Sequence, residues 1–357
     1  MKYALGTILL LVGLCVIAVG IYVQDPLPNT HDLTVQPAFP EIIEKKPSPT
    51  QPVTMKYSAT IRDDQESVAF KSLASASSIL ERVYPTWYII DIQGHITAKK
   101  SVLKNEMLQL LKESGIKIIP TIKFTKEILP ILTVKEKNEV LMHSLLDLIE
   151  NNKYDGLDID LQQMPTEFFE TMYPFFQTIS RELSSHNKQF SFTIAITEND
   201  GLTAKKYDWS ALKTYAPIIR VSPYSFENPS SKSEPILSAS MYSNFLKTLK
   251  SIFPSENTYI ILPTLSYELS LSSKAIVSYT DSLSAITKAR GSWEIDSSTL
   301  ELTGTYNDKG VIKTVWAENA ESIIQKITIA KEQGVSHFSF WYIGGEDPKL
   351  WGLLLQH

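Results

Sequence analysis

Residues 154–163 read Tyr154-Asp155-Gly156-Leu157-Asp158-Ile159-Asp160-Leu161-Gln162-Gln163. Side chains alternate faces along a β-strand, so Leu157, Ile159 and Leu161 share one face and Asp158, Asp160 and Gln162 the other. A face of two carboxylates and an amide is costly to bury without partners. A solvated edge strand is the competing reading, but edge strands seldom carry so apolar an opposite face. In a closed barrel the apolar face meets the outer helices. The acidic face then points inward near the C-terminal mouth, where the active sites of such barrels lie.

Working outward, short apolar or β-branched runs alternate with amphipathic stretches from Thr54 onward. The expected strands are Lys56–Ile61, Trp87–Ile92, Ile116–Ile122, Gly156–Leu161, Phe190–Ile196, Ile218–Val221, Tyr259–Leu265 and Ser336–Tyr342. Leu141, Leu145, Leu148 and Ile149 keep helical spacing, as do Ile323, Ile327 and Ala330 before Gly334, and Gly115 closes a helix ahead of the third strand. Eight strand-then-helix units over residues 54–357 predict a (β/α)8 TIM barrel. A doubly wound open sheet competes, but no Gly-rich phosphate loop follows the first strand. Extra length between Leu269 and Glu318 reads as a small insertion before the last strand, with Trp293–Tyr306 as a hairpin.

The chain has 357 residues, with 34 Lys and Arg against 39 Asp and Glu. That acid excess argues against nucleic acid as a partner, because counterion release needs a dense basic array. Cys15 is the single cysteine, so neither an intramolecular disulfide nor a Cys-based zinc site can form. The six histidines form no HxxxH or HExxH pair. No metal and no cofactor is expected.

Residues 1–53 differ in character. Ala4 to Val23 carries no charge, and as a helix it spans about 30 Å, the thickness of a bilayer core. A transmembrane signal-anchor over 1–23 is the expectation, with cleavage at Ala18-Val19-Gly20 as the alternative. Lys2 precedes the run and no base follows before Lys45, which places the barrel on the periplasmic or extracellular side. Residues 24–53 hold Pro26, Pro28, Pro37, Pro40, Pro47, Pro49 and Pro52 and read as a proline-rich tether.

The 154–163 strand resembles the fourth strand of glycoside hydrolase family 18, the chitinase-like barrels, whose signature is DxxDxDxE. Here the signature reads Asp155, Asp158, Asp160 and then Gln162, where the family has its catalytic Glu. Phe340-Trp341-Tyr342-Ile343-Gly344-Gly345-Glu346-Asp347-Pro348, followed by Leu350 and Trp351, resembles the eighth strand of bacterial members. Tyr306–Trp316, with Asp308 and Gly310, resembles the segment before the last helix. The resemblance runs from about Met55 to Trp351.

The resemblance implies substrate-assisted chemistry, in which the Glu protonates the glycosidic oxygen while the sugar's N-acetyl carbonyl attacks its own anomeric carbon. Asp160 would orient the acetamido group, Asp158 would hold Asp160, and Tyr224 would hydrogen-bond the acetamido carbonyl. Trp341 would floor a sugar subsite, with Asp155, Tyr267 and Glu268 as further substrate-binding candidates. Gln162 can donate a hydrogen bond but has no proton to give. Losing a positioned general acid costs about 10²- to 10⁴-fold in rate. Two further departures point the same way. Ser222-Pro223-Tyr224-Ser225 replaces the family's Met-x-Tyr-Asp, and Thr121-Ile122-Lys123-Phe124 replaces SxGG.

Three functions follow. The first is a barrel that binds N-acetylglucosamine-containing glycan, of chitin or peptidoglycan type, without efficient hydrolysis. The second is a slow or unusual hydrolase using another acid. Glu268 is the first candidate for that acid, with Glu198, Asp200 and Asp91 behind it. The third is an envelope protein-interaction scaffold, favoured if Lys123 or Phe124 blocks the mouth. His337 reads as a satisfied core histidine.

Overall fold

A computed structural model describes residues 54–99, 104–196, 208–224, 237–253, 257–270 and 273–356. Eight parallel strands form its centre: β1 (Lys56–Ile61), β2 (Leu80–Pro85), β3 (Lys117–Ile118 and Thr121–Lys123), β4 (Gly156–Asp160), β5 (Gln189–Ala195), β6 (Ile218–Ser222), β7 (Thr258–Pro263) and β8 (His337–Trp341). Their order is β2-β1-β8-β7-β6-β5-β4, and β3 closes the ring. Its first half pairs with β2 through Arg82↔Lys117 and Val83↔Ile118. Its second half pairs with β4 through Thr121↔Asp158, Ile122↔Ile159 and Lys123↔Asp160. Between the halves sits Pro120, which has no N–H to give; its carbonyl accepts from Asp158 N at 3.0 Å. The sheet is therefore a closed barrel, and the open doubly wound alternative is excluded.

Helical faces cover the barrel as the spacing predicts. Leu141, Leu145, Leu148 and Ile149 of helix Lys135–Asn151 are buried, as are Ile323, Ile327 and Ala330 of helix Ala320–Glu332. They join Leu157, Ile159, Leu161, Phe338 and Phe340 in one continuous core. Asn319 caps the last long helix by accepting from Ser322 N at 2.7 Å. Gly156 opens β4 where a Cβ would lie 2.2 Å from the Gln189 carbonyl oxygen, so only glycine lets β4 and β5 approach there.

Two expectations need correction. The second barrel strand is Leu80–Pro85, not Trp87–Ile92; the latter contributes Tyr88–Ile90, which pairs antiparallel with Ile96–Ala98. The charged pair Glu81-Arg82 hid the strand, since it breaks apolar alternation. In the fold Arg82 Nη2 pairs with Glu81 at 2.9 Å and Arg82 Nη1 reaches Gln189 at 3.3 Å. The insertion is also larger than a hairpin. Ser266–Leu269, Lys274–Val277, Ser292–Ile295, Leu302–Asp308 and Val311–Ala317 form a five-stranded antiparallel sheet, with helix Tyr279–Lys288 packed on it.

The insertion is pinned to the barrel by a buried charge cluster. Lys326 donates to Glu301 at 3.1 Å and to Glu318, and all three side chains are almost fully buried. Burial pushes the Glu318 carboxyl up to about 8, opposed by the Lys326 charge.

Among the described residues no helix is long and apolar enough to cross a membrane. Both the 1–23 anchor and the 24–53 tether lie outside the described residues.

Candidate active site

The inward face of β4 divides into a lower and an upper carboxylate. Asp158, fully buried, accepts from Thr121 Oγ1 (3.0 Å), Ser191 Oγ (2.5 Å), Thr193 Oγ1 (2.8 Å) and Arg220 Nη1 (3.2 Å). Arg220 lies in the middle of the barrel interior. It also donates to Thr193 Oγ1 (2.9 Å), Thr60 Oγ1 (2.9 Å) and Ser339 Oγ (3.1 Å), and its guanidinium stacks 3.6 Å from the Tyr84 ring centroid. The arrangement explains how a carboxylate survives here: its charge is paired and both oxygens are hydrogen-bonded. Sequence reasoning missed Arg220, although a lone arginine in the apolar run Ile218-Ile219-Arg220-Val221 was the signal.

Asp160 lies one step higher, on the wall of a cavity of about 420 Å³ at the C-terminal mouth. Its Oδ1 accepts from Gln162 N at 3.0 Å. Burial pushes its carboxyl up to about 6; the Asp158 charge adds to the rise, and the Gln162 hydrogen bonds and the Lys123 charge oppose it. The same cavity is lined by Gln162 and by Trp341. Trp341 is half-buried and packs against Tyr224 and Ile261, and its ring stands perpendicular to that of Tyr342 at 5.6 Å. The Trp341–Tyr342 peptide is cis.

Tyr224 is buried behind Trp341, held in a tight turn by Ser222 Oγ donating to its carbonyl at 2.6 Å. Burial raises its hydroxyl pKa well above the usual tyrosine value. His337 is at the opposite end of β8, edge-on to Tyr259, and burial lowers its pKa to about 4. It is a core histidine, as expected, but only partly satisfied: Nδ1 meets Ser336 Oγ at 2.9 Å, while Nε2 has no hydrogen-bond partner.

Three candidates fall away from the cavity. Asp155 accepts from Ile118 N at 2.7 Å and clamps the starts of β3 and β4 together. Tyr267 is buried in the insertion with Leu265, Leu269, Trp316 and Tyr342. Glu268, the substitute acid, accepts from Lys313 Nζ at 2.6 Å and from the Tyr306 hydroxyl. Those partners place it in the insertion sheet and not on the cavity wall, which corrects its assignment at the mouth. Asp91 is exposed and accepts from Gln93 N and His95 N in a hairpin turn. Glu198, Asp200 and Ser225 lie outside the described residues. Phe124 is buried against Phe175 in the core, so it does not block the mouth; Lys123 stands exposed on the cavity wall.

Sequence reasoning also missed the acids that do reach the cavity. Asp63 and Asp64 line it from the end of β1. Asp63 Oδ1 accepts from Lys99 Nζ (3.1 Å) and Thr86 Oγ1 (3.2 Å), and Asp64 Oδ1 accepts from Arg62 Nε (2.8 Å). Arg62 itself sits 5.5 Å from the Trp341 ring centroid and 4.7 Å from that of Tyr342. Among the described residues no cluster of three or more His, Cys, Asp or Glu is arranged to hold a metal ion.

Comparison with known proteins agrees with the barrel fold. The family model for glycosyl hydrolases family 18 matches residues 87–346. The fold is similar to a chitinase from Chromobacterium violaceum (TM-score 0.73, 18% identity, 85% of this chain and 98% of that one). It is equally similar to the Bacillus cereus spore cortex-lytic enzyme SleL (TM-score 0.73, 17% identity, 85% of this chain and 74% of that one). At such identity the likeness is one of fold. A cortical fragment-lytic enzyme of Bacillus anthracis is 36% identical over 52 residues, which span 15% of this chain and 12% of the relative.

Proposed function

The chain belongs to glycosyl hydrolases family 18, and from that premise we propose that it binds N-acetylglucosamine-containing glycan, of chitin or peptidoglycan type, without efficient hydrolysis. The observation that carries this reading is Gln162 on the cavity wall beside Asp160 and Trp341. It stands where the resemblance puts the family's general acid, and an amide cannot supply a proton at usable pH. Asp160, aided by Tyr224, receives the acetamido group, and Trp341 stacks under the sugar ring. The apolar run Ala4–Val23 anchors the chain with the barrel outside the cytoplasm.

An open cavity counts against a pure scaffold. The hydrolytic reading draws support from the lytic relatives, but its acid is not Glu268, which is committed to Lys313 and Tyr306. Asp63 and Asp64, the other carboxylates described on the cavity, are each tied to a cation.

The test is binding of N-acetylglucosamine oligomers and wall fragments, with Trp341→Ala as the control. Losing the aromatic platform removes about tenfold in affinity. Absence of binding to any such glycan overturns the reading, and so does efficient turnover by the native chain. Fractionation of membranes tests the anchor: a chain released by a salt wash is not membrane-spanning.

A further inference from the structure

The cations of the cavity suggest which glycan it takes. Of the three on its wall, Arg62 pairs with Asp64 at 2.8 Å and Lys99 with Asp63 at 3.1 Å. Lys123 is different in position. It ends β3 directly in register with Asp160 on β4, so the two side chains project to the same side, one strand spacing apart, about 4.8 Å. Any ligand group seated on Asp160 therefore has the Lys123 stem as its neighbour. Lys123 is exposed and lines the cavity together with Asp160, Thr121, Gln162, Gln163 and Trp341.

An ammonium carries three N–H donors, so a contact within the protein leaves Lys123 capacity for a ligand oxygen. A neutral sugar makes poor use of such a charge; a carboxylate makes a charge-assisted hydrogen bond about twice as strong as a neutral one. The molecule as a whole carries a formal charge of −5, which repels anionic glycans. Recognition of one must then come from a local cation rather than from the overall field.

Building on the glycan-binding reading above, we infer that Lys123 is a specificity-determining residue that selects a carboxylated glycan, binding an acidic substituent next to the acetamido sugar seated at Asp160. Two chemistries present that arrangement: N-acetylglucosamine alternating with its 3-O-lactyl ether, and N-acetylglucosamine alternating with a uronic acid.

The experiment measures affinities of the full-length chain for three oligomers of equal length: neutral N-acetylglucosamine, the lactyl-bearing alternating oligomer, and the uronate-bearing one. The native chain binds at least one carboxylated oligomer about tenfold more tightly than the neutral one. That preference weakens with added salt. In Lys123→Gln the ratio of acidic to neutral affinity falls to about one, and Lys123→Arg retains most of it. The ratio is the readout because Lys123 also lowers the Asp160 pKa, an effect felt by all three ligands. Whichever acidic oligomer shows the preference identifies the source of the carboxylate. Equal affinity for all three, or a ratio unchanged in Lys123→Gln, overturns this inference and leaves the glycan-binding reading standing. No binding of any oligomer overturns both.

Discussion

Replacing Arg220 by methionine tests the account of the barrel interior. The change removes the positive half of a pair whose side chains are 2% and 0% exposed. Breaking such a pair from one side costs about 3–5 kcal/mol, because the remaining ion is left buried without its countercharge. Here Asp158 keeps the hydroxyls of Thr121, Ser191 and Thr193, so the loss belongs at the lower end, about 3 kcal/mol. Thr60 and Ser339 also lose their donor. For a domain of about 300 residues that lowers Tm by about 5 °C. The double variant Asp158→Asn/Arg220→Met leaves no charge at this point of the barrel interior and should lose less than the sum of the single variants, with a coupling of about 2 kcal/mol. Urea unfolding followed by circular dichroism, with unchanged m-values, gives all four corners of the cycle. Additive single effects, or an Arg220→Met loss below about 1 kcal/mol, would refute the reasoning.

Three more outcomes are expected. Gln162→Glu restores a group able to protonate a leaving oxygen, and hydrolysis of a fluorogenic N-acetylglucosamine oligomer should rise about 10²-fold or more over the native chain; an unchanged rate shows that the site lacks more than its acid. Asp160 has a folded pKa near 6, above the usual carboxylate value. The native state therefore binds more protons than the unfolded chain between pH 4 and 6, and stability falls as pH rises through that window. Asp160→Asn should flatten that slope, and an equally steep slope in the variant assigns it to another group. Lys326→Met strands Glu301 and Glu318 together in the core. A loss of about 3–5 kcal/mol in urea unfolding is expected, whereas an exposed lysine would cost almost nothing.

The legibility of each part follows its range of interaction. Period-two alternation marked β4 because one face of a barrel strand meets helices and the other meets the interior, a local consequence of the pleat. β8 obeys the same alternation, with Ser339 and Trp341 reaching Arg220 and the cavity while Phe338 and Phe340 join the helix-covered core. β2 failed the same test because Glu81 and Arg82 satisfy each other at the barrel's lower end, and such a pairing leaves no periodic trace. Glu268 was misplaced for a related reason. Following a barrel strand suggests the mouth, but the chain turns at once into the insertion sheet, where Glu268 meets residues 38 and 45 positions away.

What the sequence determined by itself is therefore the barrel, the inward acidic face of residues 158–162 and the amide at Gln162, since each depends on residue identity and strand period alone. Tertiary structure decided which charges meet. Arg220 reaches Asp158 across 62 positions, and Asp63 meets Lys99 across 36. Lys123 and Asp160 stand in register only because β3 closes the ring. A buried charge is tolerable only beside its partner, and closure of the barrel is what brings these partners together.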